Sequence, residues 1–179
     1  MLMKLLQKEK MMKNNFNEAI EFILKAEGGF VNNKNDRGGM TYKGICRKNY
    51  PELKIWKAVD ELLACNTPVK KMNKKLSLYS DKEIRDVYYN NYWKPCNCDA
   101  LKYPVDIIIF DTAINMGPER AKNFLEGTND PVKILQKRVD RYNYIIEKDP
   151  TQECFRKGWY NRVKDLCDFC NVVKDYIDF

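Results

Sequence analysis

A segment that is apolar on nearly all sides, Val105 to Met116, constrains the fold of this chain more than any other feature. Pro104 precedes it and the pair Gly117-Pro118 follows it, so its two ends are marked by residues that start or stop helices. Because a helix that is apolar all round must be enclosed by other elements, the segment predicts a central buried helix. It is too short to cross a membrane, and Asp106 interrupts it.

Apolar residues at helical spacing predict further helices around this one. The first begins at Asn15 and ends near Glu27, and residues 28–41 carry the Gly, Asn and Asp that are typical of turns. Further helices are predicted at 44–49 (a short one), at 55–64, from Ser80-Glu83 to before Pro95, at 118–126, from Pro131 onwards and from about Thr151 onwards. Residues 65–78 are predicted to form a polar connection, and residues 30–31 and 40–42 short strands. Together they predict a mainly α fold with one small β-hairpin.

Length and composition predict one domain over residues 15–179 after an N-terminal arm at 1–14. The start of the chain lacks the apolar core of a signal peptide, so we expect synthesis in the cytoplasm without one. Seven cysteines without regular spacing are typical of free thiols in a reducing compartment rather than of a disulfide framework.

The chain contains no histidine, which removes Ser-His and Cys-His catalysis and any imidazole general base. A hydrolase with this composition must use carboxylates for acid–base chemistry. The net charge of +7 favours an anionic partner, but the basic residues are dispersed along the chain and do not form a nucleic-acid footprint.

The run Glu27-Gly28-Gly29 places a carboxylic acid where a helix should stop at a glycine pair. The turn-rich segment that follows can fold back and bring Asp36 and Thr41 towards that acid. Two carboxylates in different environments are what glycosidic bond hydrolysis requires, and a separation of roughly 6.5–9.5 Å would leave room for a water molecule and favour inversion.

Other polar and aromatic residues have a structural explanation as well as a functional one. Asp111 and Asn115 share one face of the buried helix, where they either make hydrogen bonds in the core or line a cleft. An aromatic cluster that includes Tyr92 and Trp93 suits stacking on sugars, and core packing equally. The pairs Cys96/Cys98 and Cys167/Cys170 do not have the usual spacing of zinc ligands, so we predict no metal site, and no nucleotide-binding motif is present.

Four motifs in order resemble glycoside hydrolase family 108, whose members are lysozyme-like N-acetylmuramidases of bacteria and phages. They are Phe22–Asn32 with Asp36–Ile45, then Tyr92–Pro95, then Phe110–Pro118, and finally Phe155–Val163 with its GW-x-NR pattern. The resemblance covers about residues 17–165.

This resemblance implies a lysozyme-like fold in which Glu27 is the catalytic acid, with Asp36 and Thr41 as the residues that position and bind water. The spacing between the last two of these residues, Asp36 and Thr41, is usually one residue longer in the similar Glu-Asp-Thr triad of phage lysozymes. Tyr42, Tyr92, Trp93, Asp111 and Asn115 are then expected to contact the glycan. Residues of about 104–170 correspond to the family's C-terminal peptidoglycan-binding half, which is shortened here at 126–131.

The resulting expectation is a muramidase of the endolysin type that cleaves the β-1,4 bond of peptidoglycan as a monomer. It would need no cofactor, nucleic acid or stable membrane insertion, and it would act on the cell wall or periplasm after release or export. Two alternatives remain at this stage: a lytic transglycosylase, and a non-catalytic peptidoglycan-binding or structural phage protein.

Overall fold

The computed structural model describes residues 15–32 and 39–179, and within them eight α-helices and one three-stranded antiparallel sheet form. In chain order these elements are α1 (15–26), β1 (Val31–Asn32), β2 (Met40–Tyr42), β3 (Ile45–Cys46), α2 (Ile55–Ala64), α3 (Val69–Leu76), α4 (Lys82–Tyr88), α5 (Val105–Met116), α6 (Pro118–Phe124), α7 (Pro131–Lys148) and α8 (Arg156–Cys170). Shorter pieces are a π-helix at Tyr89–Trp93 and 3₁₀ turns at Cys98–Ala100, Pro150–Phe155 and Lys174–Tyr176.

The described residues form two compact units. The first unit contains residues 20–89, and the second contains residues 15–19 together with 90–179. Composition does not change at either boundary, so nothing in the sequence indicates this division.

The sheet of the first unit has the order β1-β2-β3. Val31 pairs with Thr41 across the first ladder, and Tyr42 pairs with Ile45 across the second. Strands β1 and β2 form where strands were predicted. The predicted helix at 44–49 was wrong, because Ile45, 3 % exposed, needs to be buried and a two-residue turn places it directly opposite Tyr42.

Helix α2 has the predicted bounds, but α3 forms inside the segment that was predicted to be a connection. Met72 and Leu76, one turn apart, are both fully buried, while the lysines of α3 are exposed. Two buried residues are enough for an eight-residue helix that packs on α2. They are too few for the periodicity to be recognised among four lysines.

Helix α4 begins at Lys82, and the Ser80–Glu83 sequence, whose spacing is typical of a capping box, does not form one. Ser80 Oγ accepts a hydrogen bond from the Lys82 N–H at 3.2 Å. Glu83 instead accepts the backbone N–H of Lys54 at 2.9 Å, and so satisfies a donor at the start of α2.

The second unit is built on α5, whose bounds are those predicted. Every residue from Val105 to Ala113 is buried, and α6, α7 and α8 all pack against this helix. Helix α6 ends at Phe124, and the last helix begins as a 3₁₀ turn at Pro150 before continuing as α8. No helix in the described residues is long and apolar enough to cross a membrane.

Candidate active site

Glu27 directly follows the last helical residue of α1. Its backbone N–H donates to the Ile23 carbonyl at 2.8 Å, so it closes the final turn of the helix. The side chain is half-buried. An ideal Cβ on the neighbouring Gly28 would meet no atom of the described residues within 4 Å, so space is open beside the acid.

Helix α3 fixes the loop that leaves Glu27. The Phe30 N–H donates to Asn73 Oδ1 at 2.5 Å. A Cβ on Gly29 would lie 2.5 Å from the Asn73 side chain, so glycine is required for this close approach. Phe30 itself is 2 % exposed, and the loop is therefore held from both its main chain and its side chain.

The turn between β2 and β3 lies opposite the acid. Lys43 and Gly44 both have positive φ, at 48° and 75°, and they connect the paired residues Tyr42 and Ile45. Two consecutive positive φ values in a two-residue hairpin loop are typical of a type I′ turn.

A lysine in this conformation costs roughly 1–2 kcal/mol, so the turn needs support from its surroundings. Tyr88 Oη donates to the Lys43 carbonyl at 3.0 Å. Lys43 Nζ in turn forms an ion pair with Asp81 at 2.6 Å. Both contacts come from the α4 region, which therefore determines where the turn lies.

The Glu27 carboxylate packs directly against Gly44. An ideal Cβ on Gly44 would lie 2.8 Å from Glu27 Oε2 and would also collide with Tyr88 Oη. A larger residue would therefore have to displace the acid or the tyrosine. This contact joins the end of α1, the β2–β3 turn and α4 in one cluster within the first unit, which we call the Glu27 cluster (Glu27, Lys43, Gly44, Asp81, Tyr88).

Thr41 lies on β2, the strand that enters this turn, and is half-buried. Its neighbour Tyr42 is 2 % exposed, and since alternate strand residues point to opposite faces, Thr41 faces away from the buried side. Burial, and secondarily the charge of Asp81, raise the pKa of Tyr42 to about 12. A buried tyrosine offers little ring surface to a glycan, which argues against the expected contact. The other expected catalytic residue, Asp36, lies outside the described residues.

The remaining expected glycan contacts belong to the second unit. Trp93 has no exposed surface: its ring packs edge-on against Phe16 and Phe110, and its Nε1 donates to Asp99 at 2.8 Å. This is the core-packing alternative, and it argues against stacking on sugar. Tyr92 is half-buried.

Asp111 is 1 % exposed and accepts from two arginines, Arg138 at 2.5 Å and Arg162 at 2.6 Å. Asn115, one turn later, is exposed and accepts from Tyr142 Oη at 2.6 Å. The Asp111 carboxylate therefore serves the core of the second unit, and its enclosure argues against a place in an open cleft.

Sequence reasoning missed the residues that support Glu27. Gly44 and Tyr88 were visible in the sequence, but only the fold shows that they meet the acid. Asn73 lies in a lysine-rich segment without any recognisable signal. All seven cysteines are free, and among the described residues no group of three or more metal-ligating side chains is found.

Comparison with known proteins places these observations in a family. The family model described as Glycosyl hydrolase 108 matches residues 20–117, which is just over half of the chain. A solved structure, "Structure of Brucella abortus SagA", is similar with a TM-score of 0.61 and 24% sequence identity, over 89% of this chain and 95% of that one. No curated protein matches the chain. The likeness supports a lysozyme-like, mainly helical fold.

Proposed function

Because the chain belongs to the glycosyl hydrolase 108 family, we propose that it cleaves the β-1,4 bond between N-acetylmuramic acid and N-acetylglucosamine in peptidoglycan, with Glu27 as the general acid. The observation that carries this proposal is the Glu27 cluster. It holds the Glu27 carboxylate at a helix end, against main chain, with open space beside Gly28.

The position of Glu27 suits proton donation. The C-terminal end of a helix carries partial negative charge, which disfavours an ionised carboxylate there and favours the protonated acid. A general acid must carry a proton until the glycosidic oxygen departs, and a rigid backbone support keeps it within reach of that oxygen. Glu27 would protonate the leaving oxygen as the bond to the sugar C1 breaks.

The second half of the reaction needs a carboxylate and a water molecule. We assign these roles to Asp36 and Thr41, because Thr41 lies on β2, the strand that leads into the turn contacted by Glu27. In this proposal the Asp36 carboxylate orients the attacking water or stabilises the transition state, and the Thr41 hydroxyl holds the water that attacks C1.

The central test replaces Glu27 with glutamine, which keeps the shape of the side chain and removes the proton. We expect Glu27→Gln to lower wall lysis by at least about 100-fold, in line with loss of general acid catalysis. Turbidity clearing and zymograms measure it. Glu61→Gln, on the exposed end of α2, is the matched control and should retain full activity. Undiminished lysis by Glu27→Gln would contradict the proposal.

Mass analysis of the released muropeptides identifies the reaction. Hydrolysis gives reducing muramic acid ends, whereas a lytic transglycosylase gives anhydro-muramyl ends and has no need for a second carboxylate. Anhydro-muramyl products together with full activity of Asp36→Ala would indicate a lytic transglycosylase and contradict the hydrolase proposal. Binding to walls with no release of sugar would indicate a non-catalytic protein.

A further inference from the structure

A cavity of about 280 Å³ lies within the second unit. The end of α5, the start of α6, and helices α7 and α8 contribute its lining. We call it the arginine cavity, and its lining residues are Asn115, Met116, Arg120, Arg141, Tyr142, Ile145 and Trp159.

Two positive charges face this cavity without a balancing carboxylate. Within residues 15–32 and 39–179, neither Arg120 nor Arg141 forms an ion pair. The acidic neighbour of Arg120 along the chain, Glu119, is paired with Lys122. Two guanidinium groups on one cavity repel each other unless an anion lies between them.

Arg141 also has an unmet hydrogen bond. Its Nε is inaccessible and has no acceptor among the described residues, although the guanidinium stacks over the Tyr144 ring at 4.9 Å. A buried donor without a partner costs about 1–3 kcal/mol. Because this Nε is inaccessible, only the terminal nitrogens of Arg141 remain to donate to a ligand in the cavity.

Two further polar residues line the cavity, and the Tyr142 hydroxyl is already bonded to Asn115 and Arg138. Asn115 Oδ1 already accepts from Tyr142 Oη, which leaves the Asn115 amide N–H groups. The polar part of a matching ligand must therefore be an acceptor, and preferably an anion that two guanidinium groups can hold.

The rest of the lining is apolar. Met116 and Ile145 contribute aliphatic surface, and Trp159 stacks on Tyr142 with ring centroids 4.7 Å apart. The volume lies just below the roughly 300 Å³ at the lower end for small-molecule sites. A bare inorganic anion would leave the apolar wall without contacts, whereas a carboxylate on a small apolar group would match both parts.

We propose that the arginine cavity binds the free C-terminal carboxylate of a short peptide with small side chains. Arg120 and Arg141 hold the carboxylate, Asn115 donates to it, and the last side chain packs against Met116 and Trp159. In the wall, the free carboxyl ends of peptidoglycan stem peptides would supply this ligand, and that assignment rests on the proposed function. The chemistry of the ligand is argued from the cavity alone.

Tryptophan fluorescence gives a direct measure of occupancy. Trp56 and Trp93 are 2 % and 0 % exposed, whereas Trp159 is half-buried and lines the cavity. We would titrate the full chain carrying Glu27→Gln with N-acetyl-alanyl-alanine, with the same dipeptide as its C-terminal amide, and with inorganic phosphate. We expect the acid to change the fluorescence, and the amide and phosphate to bind at least about 10-fold more weakly.

Variants locate the site. Arg120→Met and Arg141→Met should each weaken binding of the acid at least about 10-fold, with Arg141→Gln as a second variant if the first unfolds at a lower temperature. Lys157→Met removes one positive charge from an exposed position of α8 near Trp159, and should bind as the parent does. Equal binding of acid and amide, phosphate as strong as the peptide, or the same loss in Lys157→Met would overturn the proposal.

The source of the peptide needs a separate arm. Soluble muropeptides with free stem carboxylates should compete with the dipeptide, and the same muropeptides with amidated stems should not. If neither competes while the dipeptide still binds, the site exists but serves a peptide from elsewhere. Failure of Glu27→Gln to reduce lysis would affect only the hydrolase proposal, since binding is measured without turnover.

Discussion

Gly44 meets two requirements that no other residue satisfies together. Its φ of +75° belongs to the left-handed region, and the acid and the tyrosine on either side leave no room for a Cβ. Backbone strain and steric collision therefore act at the same residue, and they can be separated by substitution.

We expect Gly44→Ala to lower the rate of wall lysis by at least about 10-fold, because the new methyl group displaces the Glu27 carboxylate. Its free energy of unfolding should also fall by about 1–2 kcal/mol from the positive φ. Turbidity assays and urea unfolding measure the two effects.

Gly39→Ala is the matched control. Gly39 also has a positive φ, +66°, but a Cβ there meets nothing within 4 Å among the described residues. This variant should lose similar stability and keep its activity. If both alanine variants lose activity equally, strain rather than the contact with Glu27 is responsible.

Asp111 shows the opposite case, a polar residue that serves the core. Burial opposes its charge, yet the attraction of Arg138 and Arg162 and their hydrogen bonds hold the pKa of Asp111 below its ordinary value. A carboxyl with a depressed folded pKa stabilises the fold above the unfolded pKa, about 3.9, and loses that contribution as the pH falls towards the folded value.

We expect Asp111→Asn to lower the free energy of unfolding at pH 7 by about 3–5 kcal/mol, because it leaves the fully buried Arg138 without its counter-charge. The difference from the parent should shrink at pH 3. Urea unfolding at both values of pH measures it. Asp140→Asn, exposed on α7, should change stability by less than about 0.5 kcal/mol, and an equal loss there would refute the argument.

Among the elements, α3 has the least expected role. It is a short, lysine-rich helix, yet its Asn73 supplies the acceptor for Phe30 and packs against Gly29, directly behind Glu27. Buried Met72 and Leu76 anchor this helix, so it can act as a rigid support for the catalytic loop.

Asn73→Ala should therefore impair catalysis without touching the substrate. We expect kcat to fall about 10-fold with little change in KM, and stability to fall by about 1–3 kcal/mol because the Phe30 N–H loses its partner. Steady-state kinetics on soluble wall fragments separate the two constants. Lys74→Ala, on the exposed face of α3, is the control, and a change confined to KM would contradict a positioning role for Asn73.

At the scale of the whole molecule, the proposed function predicts that the net charge of +7 attracts the protein to an anionic wall. Raising the ionic strength from 0.01 to 0.15 M shortens the screening length from about 30 to about 8 Å. We expect the rate of lysis of intact walls to fall several-fold over this range, as measured by turbidity. Walls stripped of anionic polymers should show a much smaller dependence. A rate independent of salt on both substrates would rule out electrostatic attraction.

Local pattern was sufficient for much of this protein. The bounds of α2 and α5, the end of α1 near Glu27 and the positions of strands β1 and β2 follow from periodicity, capping residues and glycines, which act within a few residues of one another. The absence of histidine left carboxylates as the acid–base groups, and the glycine pair behind Glu27, together with the family resemblance, made this residue the predicted acid.

Contacts between distant residues decided the rest. Strand β3 and helix α3 form because Ile45, Met72 and Leu76 find buried places that no short window of sequence describes. Only the fold brings Gly44, Tyr88 and Asn73 to the acid, and only the fold encloses Trp93 and Asp111 in the second unit. The sequence alone predicted Glu27 as the acid, and the tertiary structure determined what holds this residue, because packing depends on residues far apart in the chain.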